Sequence, residues 1–434
     1  MTKDISRRDV FRFAAVGLGG LAIAGTVAGC SSDGNGASAG RSPTAGKATD
    51  FSFASWGMSE AATKPTLGAA VDSFGQKKGV TVKTPSYDYN DYLNQLTLQV
   101  RGGQFAGAAQ LDVAWASGFA ALGKLRDLSG LATGRGYTEA ALKAGQVDGK
   151  QIGLPWTIAA IGLITNSELL QKAGITTPAT TIDAFEDQLR SLKALGGGLI
   201  PYAASTKAAQ LKDILVWMQT FGSPLIDGKK CTIGDAASVK AVTWYKKLYD
   251  DGLIAPDVDR AAARTLFAQG KTAIYDDAPV GKAGVVASSP DKNLADKMSS
   301  MARPVLTKGD TPVEVLWGHL VTVVDGDGAD TAGQFAQWLT SDTTQTLDYF
   351  SKLGLPPTTK AALGSSEIEK DTFISDFSKR VTVNAAAEPL WKFPQYAQME
   401  TEIANQVQAV LIGSASPKDA MKQAGQAVQQ LMSA

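Results

Sequence analysis

The chain of 434 residues holds only two cysteines, Cys30 and Cys231, and a single histidine, His319. Structural zinc is held by clusters of Cys and His, so this scarcity argues against such a centre; an all-carboxylate metal site stays open. Neither charge is in excess: Lys plus Arg number 42 and Asp plus Glu number 42. A neutral chain lacks the electrostatic footprint of a nucleic-acid binder. One histidine leaves a serine hydrolase little choice of base, and no Gly-x-Ser-x-Gly elbow stands between a strand and a helix in the body of the chain. What is present is ordinary for a globular protein, with 44% apolar residues and enough length for two or more domains.

Residues 1–29 have the pattern of an export signal. Ser6-Arg7-Arg8-Asp9-Val10-Phe11 resembles a twin-arginine motif, with Val10 where Phe is usual. The uncharged stretch from Phe13 to Ala28 is short for a membrane span, which needs roughly 20 residues. Val27-Ala28-Gly29-Cys30 resembles a lipobox, with Cys30 as the lipidated new N-terminus. Removal of residues 1–29 leaves 38 bases against 40 acids and leaves Cys231 unpaired, which suits a buried thiol. Residues 30–49 are rich in Ser, Gly and Ala and read as a flexible tether.

From residue 50, strand and helix signals alternate. Asp50–Gly57 reads as a strand, Lys64–Lys78 as a helix with Leu67, Val71 and Phe74 on one face, and 79–82 as a second strand. A helix over Asp91–Arg101, a strand over Leu111–Trp115 and a helix over Phe119–Asp127 follow. Ile158 to Ile164 is a continuous apolar run rich in β-branched residues, as a central strand requires. Pro155 lacks an N–H and belongs at the edge or start of that strand. Thr181–Leu195 is amphipathic, and 211–221 and 235–250 carry further helices. Such alternation argues for a mostly parallel sheet covered on both sides. Asp325-Gly-Asp327-Gly-Ala-Asp330 lacks the spacing and closing Glu of a calcium loop and reads as a polar turn.

Several segments resemble, in order, the extracellular solute-binding proteins of ABC importers, in the carbohydrate-binding group related to maltose-binding protein. They are the loop and helix start YDYNDYLNQL, LDVAWASGFAALGKLRDLS, DGKQIGLPWTIAAIGLITNSELL at Asp148–Leu170, FAQGKTAIYDD, WGHLVTVV, AGQFAQWLT and LGLPP. Thr165-Asn166-Ser167 stands where that family usually has Tyr-Asn-Lys, and Ala278-Pro279-Val280 where it often has Gly-Pro-Trp. The resemblance implies an α/β, two-lobe periplasmic-binding-protein-like fold of type II. Each lobe would be a mixed sheet flanked by helices, with three crossings between lobes. The implied N-terminal lobe is 50–157 plus 318–357, and the C-terminal lobe 158–317 plus 358–434.

A sugar offers C–H faces, which aromatic rings cover at low entropic cost, and hydroxyls, which planar polar side chains hold by paired hydrogen bonds. Ligands of α/β sheets sit at strand C-termini. Trp56, Trp115, Trp156, Trp317 and Trp391 fall at strand ends or crossings; ordinary packing is the alternative for each. Trp217, Trp244 and Trp338 have helix-interior positions and read as core. Asp88, in the loop after the second strand, is a ligand contact or a solvated turn residue. Asp276 and Asp277 are consecutive, so they point to opposite faces of a strand; Asp277 matches a family position beside the ligand. Gly318 and His319 adjoin Trp317 at the second crossing. Asp112 opens a family motif and can serve as a structural partner.

The reading that follows is a monomeric, lipid-anchored binding protein on the extracytoplasmic face of the membrane. It would capture a carbohydrate between two lobes and deliver it to an ABC permease, with no cofactor and no metal. Two alternatives stand beside it: the same fold holding a glycerophosphodiester, polyol or other small solute, and a secreted glycoside hydrolase, which would need two opposed carboxylates.

Overall fold

A computed structural model describes residues 48–433. The export signal, Cys30 and the tether to residue 47 lie outside the described residues. Nine strands form the main sheet: β1 (Phe51–Ala54), β2 (Val82–Lys83), β3 (Gly107–Asp112), β4 (Gly153–Asn166), β5 (Ile200–Ala203), β6 (Thr272–Asp277), β7 (Met298–Met301), β8 (Glu314–Val324) and β9 (Ala385–Ala386). The path runs β2-β1-β3-β8-β4-β6-β5, with β7 beside β4 and β9 beside β8. The sheet is mixed rather than mostly parallel. β1 pairs in parallel with β2 and β3, but β8 runs antiparallel to both β3 and β4.

The two longest strands, β4 and β8, join the halves of the molecule. β4 pairs with β8 as far as Ile161 and from Gly162 onward with β6 and β7. Pro155 is the third residue of β4, opposite a register shift between His319 and Leu320. That stretch of β4 has no second strand neighbour, so the missing N–H interrupts no ladder.

Local chemistry fixes the flanking elements. The helix Lys64–Lys78 begins with a proline in its first turn and ends at Gly79, in the left-handed region at φ 67°, as helix C-termini favour. The amphipathic stretch forms the helix Ile182–Lys193, whose first turn is capped by the Thr181 hydroxyl. It buries Ile182, Phe185, Leu189 and Leu192. Beside β1 and β8, a core of Phe51, Phe53, Leu67, Phe74, Val321, Val323 and Phe335 packs ring against ring. Trp217 and Trp244 belong to a second core, and Trp338 packs against the first.

Two expectations fail, each at a local turn. The LDVAW segment is strand only to Asp112, and Val113–Trp115 is a 3-10 turn. The Asp112 carboxylate accepts the Ala114 N–H at 3.0 Å and so ends the strand by capping the turn. The helix expected over Phe119–Asp127 is confined to Ala116–Ala120; Gly123 then turns at φ 65° and the Arg126 N–H bonds back to Val323 O. The Asp325–Asp330 turn is held by Arg126, which binds Asp325 at 2.6 Å and Asp330 at 2.5 Å.

Candidate functional site

A cavity of about 580 Å³ opens between the β1/β3/β8 side and the β5/β6 side of the sheet, a volume within the usual range for a small-molecule site. One wall is aromatic. Ser55 ends β1 by accepting the Gly57 N–H at 3.0 Å, and the turn that follows delivers Trp56 to the cavity. The Trp56 ring centroid lies 5.4 Å from Tyr89, 5.1 Å from Tyr92, 5.5 Å from Trp115 and 4.9 Å from His319, each edge to face. Aromatic pairs favour this geometry, so the indole is clamped. Trp317 stands 4.5 Å from His319 on the same face of β8.

The opposite wall is charged, and its charges are paired. At the end of β6, Asp277 takes a bidentate bond from Arg264, at 2.7 and 2.9 Å. Arg260 binds Asp213 through both carboxylate oxygens, at 3.0 and 2.8 Å. Lys212 faces Glu400 at 3.5 Å, and Arg303 faces Asp276 at 2.9 Å. Several acids meet no base so closely. The Asp112 carboxylate receives the Tyr89 hydroxyl at 3.2 Å, and Glu60 that of Thr63 at 3.1 Å; burial pushes both carboxyls up. Burial also raises Glu388 to about 8, and nearby Glu400 adds to the rise. Trp391 and Tyr396 close this side, with centroids 6.2 Å apart.

Five of the expected residues meet in the lining: Trp56, Asp277, Trp317, His319 and Trp391. Four do not. Asp88 is exposed at the start of the helix Tyr89–Arg101, which is its turn reading. Trp115 lies behind Trp56 and supports it. Trp156 is buried in the Phe53 core, stacked on Tyr349 at 4.6 Å. Gly318 is a close-approach glycine: a Cβ there would sit 2.5 Å from Thr157 O on β4. Tyr89, Lys212, Arg260, Arg264, Arg303 and Tyr396 also line the cavity, and the sequence nominates none of them.

A family model described as bacterial extracellular solute-binding protein matches residues 69–374, more than half of the chain. The chain belongs to the bacterial extracellular solute-binding proteins. Solved structures share its two-lobe fold at low identity. The GacH receptor of Streptomyces glaucescens GLA.O, solved unliganded and with acarbose, matches with a TM-score of 0.80 and 22% identity, over 89% of this chain and 99% of that one. Maltose-bound MalE3 of T. maritima matches at 0.78 and 19%, over 88% and 100%. A solute-binding protein of Agrobacterium radiobacter K84 in complex with ribitol matches at 0.76 and 21%, over 88% and 98%. In this solute-binding protein the cavity is lined in part by β4 and β8, the strands that join the two halves of the sheet.

Proposed function

We propose that this solute-binding protein captures an uncharged carbohydrate between its lobes and hands it to an ABC permease. Trp56, Trp317 and Trp391 would cover the sugar's C–H faces, while Asp112 and Glu60 accept from its hydroxyls. The observation that carries this reading is a cleft that combines tryptophan rings with cations already paired to the chain's own carboxylates. The lobe boundaries would be those the resemblance implies, after residues 157, 317 and 357. Lipidation at Cys30 would hold the protein at the outer face of the membrane. Among the described residues no helix is long and apolar enough to cross a membrane.

A glycerophosphodiester is a weaker fit. Phosphate wants an unengaged Arg or Lys, and Lys212, Arg260, Arg264 and Arg303 each face a carboxylate of the chain. The test is a thermal-shift and calorimetric panel of mono-, di- and oligosaccharides, polyols and glycerophosphodiesters. A stabilising neutral sugar is the expected hit. Stabilisation by phosphodiesters alone would replace the reading, and no shift from any sugar would end it. Metabolic labelling with a palmitate analogue, abolished by Cys30→Ala, tests the anchor.

A further inference from the structure

His319 lies in the aromatic wall and carries a hydrogen-bond relay behind it. The Ser55 hydroxyl oxygen accepts the Gly57 N–H at 3.0 Å, so its own proton must find another acceptor. Gln110 Oε1 stands 2.5 Å away and is the acceptor it meets. The amide is placed with its oxygen toward Ser55 and its nitrogen toward His319 Nδ1, at 3.1 Å. An amide nitrogen only donates, so Nδ1 must present its lone pair and the ring proton must sit on Nε2. Asp112 stands directly opposite His319 in the β3–β8 register. Its carboxylate is engaged by the Ala114 N–H and the Tyr89 hydroxyl instead.

We propose that Ser55 and Gln110 are positioning residues that hold His319 as a neutral imidazole protonated on Nε2, a fixed donor to an oxygen of the bound ligand. The proposal deepens the carbohydrate reading, on which its ligand arm rests. Trp56 and Trp317 flank the ring at 4.9 and 4.5 Å and restrict its rotation. Burial depresses the ring's pKa to about 3, which keeps the imidazolium out of reach at neutral pH. A neutral ring with its acceptor nitrogen occupied has one thing to offer the cleft, an N–H. The ligand must then place a hydroxyl, ring or carbonyl oxygen there. An ammonium in that position would set donor against donor.

Because the chain has one histidine, a long-range ¹H–¹⁵N spectrum of the labelled full chain shows one imidazole, and the tautomer can be read without any ligand. The expected result at pH 7 is a protonated Nε2 and a bare Nδ1, unchanged down to about pH 5. A protonated Nδ1, or an imidazolium, overturns the proposal. Gln110→Glu presents acceptors only and should move the proton to Nδ1; Ser55→Ala frees the amide to flip and should give a mixture. Loss of stability with an unmoved tautomer in both variants would reduce the pair to packing and overturn the positioning role. For whichever sugar of the panel stabilises the protein, His319→Gln, which can still donate, should bind at least tenfold tighter than His319→Leu. Equal losses overturn the donor role while leaving the carbohydrate reading intact; a panel without a hit ends that reading but leaves the tautomer decided by the spectrum.

Discussion

Asp276 and Asp277 are consecutive on β6, yet their carboxylates face two different arginines: Asp276 meets Arg303 at 2.9 Å, and Asp277 meets Arg264 at 2.7 Å. Strand alternation separates them, and the two pairs differ in kind. Arg303 is buried, lies over the Trp217 ring at 4.8 Å, and also faces Glu314 at 3.5 Å. The Arg264 side chain is 37% exposed. Removing Arg303 strands two buried carboxylates, whereas removing Arg264 strands one, Asp277, which still accepts the Ala278 N–H at 2.9 Å. Arg303→Met should lose about 3–5 kcal/mol of stability, and Arg264→Met clearly less, by urea denaturation at pH 7. Equal losses would contradict this division.

One guanidinium between two buried carboxylates leaves a surplus negative charge, and Glu314 is the group that yields. Burial pushes its carboxyl up to about 7, against the pull of Arg303. Its folded-state pKa thus lies above the unfolded value of 4.5, so the native state binds the extra proton. The sign follows: this contribution is fully present below about pH 4.5 and is lost as pH rises through about 7. Between pH 5 and 8 wild type should lose stability relative to Glu314→Gln by on the order of 2 kcal/mol. Urea midpoints of both proteins at the two pH values check it, and parallel curves would refute it.

The tryptophans should separate by role. Trp317→Ala and Trp391→Ala remove rings from the cleft lining, and each should weaken sugar binding by tenfold or more while unfolding stability changes little. Trp156→Ala should do the reverse, losing about 3–5 kcal/mol with affinity unchanged in the folded protein. Its indole N–H is buried and has no hydrogen-bond partner, so Trp156→Phe should be far milder than Trp156→Ala. Trp56→Ala should lower both affinity and stability, because that ring is both lining and keystone of the Tyr89–Tyr92–Trp115 cluster. Calorimetry of binding, with thermal unfolding of each variant, tests the sorting.

Elements whose signals are local were legible in the sequence. The helix Lys64–Lys78 carries its proline, its apolar face and its terminal glycine within one stretch, and its bounds agree with the structure. The strand around Ile158–Ile164 was equally plain from its β-branched run. Val113–Trp115 was misread because burial, not strand pairing, makes those residues apolar, and the deciding group is the Asp112 carboxylate. Within the cleft, aromatic residues at strand ends could be nominated singly, but Trp156 and Trp317 cannot be told apart without knowing what packs on each. The paired wall was illegible: Arg260 meets Asp213 across 47 positions and Lys212 meets Glu400 across far more. Arg264 and Asp277 lie only 13 positions apart, but nothing local shows that a helix residue and a strand end will meet.

Gly162 marks the point where β4 leaves β8 for β6 and β7, and its missing side chain is filled by a neighbour. A Cβ there would lie 2.3 Å from Val381 Cγ1 and 3.1 Å from Cγ2. Val381 is fully buried after the helix Thr372–Arg380, so it has little room to retreat. Gly162→Ala should therefore destabilise by about 1–3 kcal/mol through overpacking. Gly130→Ala, which meets no atom within 4 Å, should stay close to wild type. If the Val381 methyls are the cause, Val381→Ala removes the obstacle, and the double variant should be more stable than the sum of the single effects predicts. A coupling energy near zero in that cycle would place the strain elsewhere in the strand. Small-angle scattering of Gly162→Ala adds a second readout. A residue at the change of partners should alter the distribution between open and shut lobes, as well as the unfolding midpoint.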